Sequence, residues 1–295
     1  MSRTPETARR LFDRFEPVHA VTYFAPEART AFEDAGFRGF FMSYFAARSA
    51  PLGCVPAAVV TAAFYNFSSA HVSRALPAAW EFASPADALH ARETSAVAAL
   101  RRYGVTADDA TATAAALLEK AARSAPLDGR PLFGANLALP WPDDPVAKLW
   151  HAATLLREQR GDAHVALLVA AGISGRECNV LHSAADRVPR DFIVRSREYD
   201  DDEWRTCSER LASRGVLDER GALTEAGTEV KRQLEDDTDR LALSAFDVLD
   251  DDELETLFRT LTPLTRKVVA AGDIPSATPM GLRRDDLDVD SAHLR

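Results

Sequence analysis

Residues 203–227 read EWRTCSERLASRGVLDERGALTEAG, and no other run constrains the fold as much. Leu211, Val216 and Leu217 fall where one face of a helix and a following strand are buried together, and Gly215 ends the helix. Residues 216–218 pair with 222–224 around a turn of about four residues, and Thr224 caps the next helix. The T-x-x-G run from Thr224 to Gly227 gives a close backbone packing point. A helix, a hairpin and a second helix start in two dozen residues form the pattern of a winged helix, a small fold usually associated with DNA. Here the helix in the groove-reading position opens with Asp200, Asp201, Asp202 and Glu203. Duplex DNA carries one negative charge per roughly 1.7 Å of axis, so four carboxylates at that point are repelled. The wing is a short DERG without a basic tip. Both features disfavour DNA binding by this module.

The 295 residues carry a net charge of -10, against generic affinity for nucleic acid or an anionic membrane. An arginine-rich stretch, 186–197, holds Arg187, Arg190, Arg195 and Arg197. It reads either as a solvated loop or as a place to hold phosphate or carboxylate. Cys54, Cys178 and Cys207 are odd in number and widely spaced, as expected of reduced thiols in a cytoplasmic protein. The N-terminus, MSRTPETARRLFDRFE, is charged and helical rather than an apolar signal. No run approaches the roughly 18 apolar residues that span a bilayer.

Nearly every segment has helical period, so the expected fold is mainly α, with winged-helix units and short β-hairpin wings. Helices are expected at 4–15, 26–35, 40–47, 56–75, 85–103 and 107–124. After residue 145 they are expected at 145–159, 162–171, 174–184, 200–214, 225–244 and 251–271. The stretch 126–145 holds five prolines and two glycines and marks the clearest boundary. Accordingly 1–135 forms an N-terminal helical half, 136–275 a C-terminal winged-helix half, and 276–295 a loose acidic tail. The halves also look alike: RRYGVTADDATATAAALLEKAARSAPLDGRPL parallels REYDDDEWRTCSERLASRGVLDERGAL. Tandem duplication and chance likeness of alanine-rich helices both remain open.

Three groups of residues offer a site. In VHAVTYF, His19 and Tyr23 lie one helical turn apart. The aromatics that follow, including Phe41, Tyr44 and Phe64, suit either a dense core or a pocket for a flat or hydrophobic ligand. In the pocket reading Arg48, Tyr65, Asn66 and His71 orient the ligand. The run LWHAATLLREQRGDAHV places His151, Arg157 and His164 beside Glu158 and Asp162. It reads as a capped helix corner, as a polar floor for the ligand, or as the acid-base set of a cofactor-free enzyme. In GRECNVLHSA, Asn179 and His182 with Glu177 make a second polar stripe. No third ligand or HExxH supports a metal there. No motif names a cofactor, and no nucleophile elbow, P-loop or GxGxxG appears.

Across 15–275 the chain resembles an actinobacterial family of helix-turn-helix proteins. The resemblance rests on PLGCVPAAVVTAAFYNF, LWHAATLLREQRGDAHVALLVAAG and LTEAGTEVKRQLEDDTDRLA. It implies a mostly helical winged-helix protein and carries over no catalytic residue. SERLASRGVLDERGALTEAG is distantly similar to the helix-wing-helix of MarR-type regulators, whose basic wing is missing here. The tandem winged helices of a bacterial DNA glycosylase family carry a paired glutamine motif that Gln159 does not reproduce. The function expected is small-molecule binding by a cytoplasmic winged-helix protein that does not grip DNA strongly. The alternatives are a MarR-like transcriptional regulator and an enzyme using His151, Glu158 and Asp162. A homodimer remains open.

Overall fold

Proline lacks the N–H that a helix leaves unbonded in its first turn, and it opens five of the helices here. The computed structural model describes residues 3–186, 188–275 and 282–292. In these the chain forms α1 (Pro5–Phe24), α2 (Pro26–Asp34), α3 (Gly39–Ser49), α4 (Ala57–Phe64), α5 (Ser69–Ala75), α6 (Pro85–Arg102) and α7 (Asp109–Ser124). It continues with α8 (Pro131–Leu137), α9 (Pro145–Ala170), α10 (Gly175–Ala184), α11 (Arg190–Arg197), α12 (Asp201–Ser213), α13 (Glu225–Leu243) and α14 (Asp251–Ala270). The fold is mainly helical, as the periodicity indicates.

Three apolar clusters organise it. The largest joins α1, α6, α7, α9 and α14, with Phe15, Leu118, Trp150, Leu155 and Phe258 at its centre. It draws on residues from both sides of the proline-rich 126–145 stretch, which therefore connects elements of one core. A second cluster packs the phenylalanines of 32–67 against α6, and a third gathers the end of α9 with α10–α13.

Helix α9 runs unbroken through Gly161, where two helices are expected from the sequence. A glycine inside a helix costs only about 0.5–1 kcal/mol relative to alanine. Leu155, Leu156, Gln159, Arg160, Asp162 and Ala163 are all buried around it, so packing outweighs the local signal. Asp162 does not cap a new helix; it accepts a hydrogen bond of 2.9 Å from the Phe133 amide at the start of α8. Conversely, the single helix expected over 56–75 is two, interrupted at Tyr65, whose φ is 64°.

Helices α10, α11 and α12 lead into the wing, which is slighter than expected. Among the described residues the only β pairing is an isolated bridge between Leu217 and Leu223. Amide-to-carbonyl bonds from Asp218 to Ala222 and from Thr224 to Val216 close it. Gly227 fits beneath because a Cβ there would lie 2.0 Å from the Val216 carbonyl oxygen. The first half does not repeat this arrangement: residues 128–130 turn directly into α8, with no second wing and no sign of duplication. The module is fastened to the body at Gly175, where a Cβ would lie 1.8 Å from the Tyr65 carbonyl oxygen. The Tyr65 hydroxyl in turn donates to the Ile173 carbonyl.

The expected loose tail is docked over 282–292. Arg10 and Arg14 of α1 are buried and share Asp286, at 3.1 and 2.7 Å. Arg283 reaches back to Asp13 at 3.0 Å, and Leu287 and Ala292 are buried. Residues 276–281 and 293–295 of that expectation lie outside the described residues. No single helix among the described residues is long and apolar enough to cross a membrane; α3 and α4 qualify only as a pair bent by 96°.

Candidate functional site

A cavity of about 480 Å³ lies where the helical body meets the helix-turn-helix module. Its apolar wall comes from the aromatic-rich segments: Phe12 and Tyr23 of α1, Phe41 and Tyr44 of α3, and Phe64 and Phe67 at the break after α4. The rings interlock at tilted angles, with Tyr44 5.2 Å from Tyr23 and 5.6 Å from Phe67. Cys178, Asn179, Leu181 and His182 line it from α10, and Phe192, Ser196 and Arg197 from α11.

The floor is ionic. Arg48 grips Glu158 with both arms, 3.0 Å each, and Arg157 approaches the same carboxylate at 2.9 Å. Burial alone would raise the pKa of Glu158, but Arg157 and Arg48 beside it hold it well below the usual range. Across the cavity Arg9 and Arg160 both reach Asp239, at 2.9 Å, and both pair with Glu235. Lys231 also pairs with Glu235.

Glu16 is the exception among these carboxylates. It is fully buried, lines the cavity, and neither carboxyl oxygen has a hydrogen-bond partner; Arg157 Nε stands 3.7 Å away. Burial pushes its pKa up to about 7, with Arg157 opposing and Glu158 adding to the rise. The unfolded chain therefore ionises this carboxyl first as pH climbs, and folding stability drains away between about pH 4.5 and 7. Glu16→Gln, which cannot ionise, is expected to gain about 2–3 kcal/mol on the wild type between about pH 4.5 and 8. Urea unfolding of both proteins at the two pH values checks this; parallel stability profiles would refute it.

The structure gathers most of the residues singled out from the sequence. Tyr23, Phe41, Tyr44, Arg48, Phe64, Tyr65, Asn66, Arg157, His164, Asn179 and His182 all line the cavity. Three histidines do not. His19 lies beneath the wall, bonded to Thr154 at 2.9 Å and to the Tyr23 hydroxyl at 3.0 Å, so it orients Tyr23 instead of meeting a ligand. His71 is packed against Phe41, with ring centres 4.4 Å apart, and faces Glu198 at 3.5 Å. His151 sits edge-on to Trp141, 4.7 Å away, in the main core, where burial lowers its pKa to about 4. His151 turns to Trp141, Glu158 to Arg48, and Asp162 to α8, so these three do not converge as an acid-base set. His164 bonds Thr238 at 2.8 Å, and burial lowers its pKa to about 3, so it is neutral.

Glu16, Arg9, Glu235 and Asp239 escape sequence reading. The helical spacing of Arg9 and Glu16 on α1 is a faint signal, but their partners are hundreds of residues away in sequence. Arg197, expected in a loop, ends α11 and faces the cavity. Arg187 lies outside the described residues. Among the described residues no cluster of three His, Cys, Asp or Glu side chains has metal-holding geometry.

A three-helix unit ending in a minimal wing, docked on a larger helical body, defines a helix-turn-helix protein. A helix-turn-helix family matches residues 8–275, and the chain belongs to it. Neither a curated protein nor a solved structure matches the chain.

Proposed function

We propose that the protein binds a small molecule with a flat or hydrophobic body in the cavity between its helical body and its helix-turn-helix module. It would act as a sensor or sequestering protein and not as a strong DNA binder. The observation that carries this reading is the cavity itself: about 480 Å³, walled by interlocked aromatics over a floor of buried charges. That volume and lining suit a drug-sized ligand. Helices α10 and α11 would touch the ligand together with α1, α3 and α9, so occupancy would bear on how the module sits.

N-phenyl-1-naphthylamine, a neutral fluorophore that brightens in apolar surroundings, is expected to bind saturably. Val165→Trp, which fills the cavity from α9, is expected to weaken it at least about tenfold. Unsaturable fluorescence, or binding indifferent to Val165→Trp, would sink the reading. Native mass spectrometry of freshly purified protein would catch a ligand retained from the cell.

A transcriptional regulator is the second reading, favoured by the helix-turn-helix family and by exposed Arg190 and Arg195 on α11. Against it, Asp201 and Asp202 stand exposed at the start of α12. A gel shift on upstream DNA at about 50 mM salt, where phosphate contacts are strong, separates the two readings.

A further inference from the structure

The cations of the cavity differ in one respect. Arg9 and Arg160 have Asp239 and Glu235, Arg48 and Arg157 have Glu158, Lys231 has Glu235, and Arg283 has Asp13 and Glu6. Arg197 has no carboxylate partner among the described residues. Its Nη1 makes one long contact, 3.4 Å, to the neighbouring Ser196 carbonyl, and its Nε is shut away from solvent without a partner. Beside it the Ser196 hydroxyl is equally enclosed and equally unbonded. Both residues face the cavity from the last turn of α11.

The guanidinium carbon lies over the ring of Phe67, 4.2 Å from its centre. A ring contact of this kind takes up none of the N–H donors, and those donors are the fork that suits arginine to carboxylate, sulfonate and phosphate groups. Helix C-termini do attract cations, but the effect is small and confined to the last turn. It falls well short of offsetting the withdrawal of a guanidinium from water. Burial accordingly depresses the Arg197 pKa, with no carboxylate near enough to restore it.

Building on the small-molecule reading, we infer that the cavity's ligand is an organic anion whose acid group seats on Arg197 and Ser196 while its apolar body lies against Phe67, Phe41 and Tyr44. Without the ligand, Arg197 is a half-buried charge with no carboxylate partner among the described residues. With it, the acid group ties α11 of the module to the aromatic wall of the body.

Two probes of the same skeleton test this. N-phenyl-1-naphthylamine is neutral, and 1-anilinonaphthalene-8-sulfonate is the same molecule with a sulfonate added. For the wild type both are expected to bind, the sulfonate more tightly. Arg197→Gln is expected to weaken the sulfonate at least about tenfold and the neutral probe by less than about twofold, since a charge-assisted pair is lost from one and nothing from the other. Retained binding of the neutral probe also shows that the variant keeps its cavity. Arg205→Gln, on the exposed face of α12, serves as the control and is expected to alter neither. The inference is overturned if Arg197→Gln leaves the sulfonate unchanged, if it weakens both probes alike, or if Val165→Trp expels the neutral probe and not the sulfonate. If the wild type binds the neutral probe but not the sulfonate, the anion inference fails and the cavity reading stands. If it binds neither, both fail.

Discussion

Glu158→Ala is expected to cost about 3–5 kcal/mol of stability, the range for removing one partner of a buried ion pair. The Glu158 side chain is 2% exposed and anchors Arg48 at 11% and Arg157 at 16%. Its loss strands two guanidiniums between α3 and α9 with no other carboxylate in hydrogen-bonding range; Glu16 stands 3.7 Å from Arg157, a long ion pair. Part of the loss should return through Glu16, because the repulsion from Glu158 that helps to raise its pKa disappears. Glu16 would then ionise more readily and stand in as counterion. Chemical denaturation of Glu158→Ala, alone and combined with Glu16→Gln, measures both effects. The double variant should fall by more than the sum of the single changes. A loss under about 1 kcal/mol in Glu158→Ala would show that water in the cavity satisfies both arginines.

Asp286→Ala is expected to cost about 3 kcal/mol and to free the C-terminal segment. Arg10 and Arg14 are 2% and 0% exposed, and Asp286 is the carboxylate both of them reach. The figure sits at the low end because Arg14 keeps the Thr262 hydroxyl at 2.8 Å and the Arg10 carbonyl at 2.7 Å. Arg14 and Arg10 hold the Asp286 pKa below the usual carboxylate value against the opposing effect of burial. Its contribution is therefore present above about pH 4 and lost as pH falls through the folded value. Hydrogen exchange is the sharper readout: amides of 282–292 should lose protection in the variant before those of α14. Unchanged protection there would show that the tail is held by Leu287 and Arg283 alone.

What could be read from the sequence was what local rules settle. The wing and its flanking helices declare themselves because Gly215, Thr224 and Gly227 act on their immediate neighbours. Gly161 misleads for the same reason: its local signal says break, and burial on every side of α9 overrules it. Histidine is ambiguous in kind, with an apolar body and a polar tip. The spacing of His19 and Tyr23 shows that they are neighbours, but nothing near His19, His71 or His151 in sequence tells that each is enclosed instead of facing a ligand. The aromatic wall was legible because its rings crowd into 37–67. The ionic floor was not, because Arg48 and Glu158 are 110 residues apart and Arg9 and Asp239 are 230 apart. The tail looked loose because its acidity reads as solvation until the two arginines it neutralises are found on α1.

Helix α9 begins among the innermost side chains of the body and ends, at Leu168, among those of the module. It is a rigid spar of about 39 Å at 1.5 Å per residue, with no hinge along its length. The last turns of this helix belong to the module's apolar cluster and its first turns to the main one, so the stability of the smaller unit is coupled to that of the mass behind it.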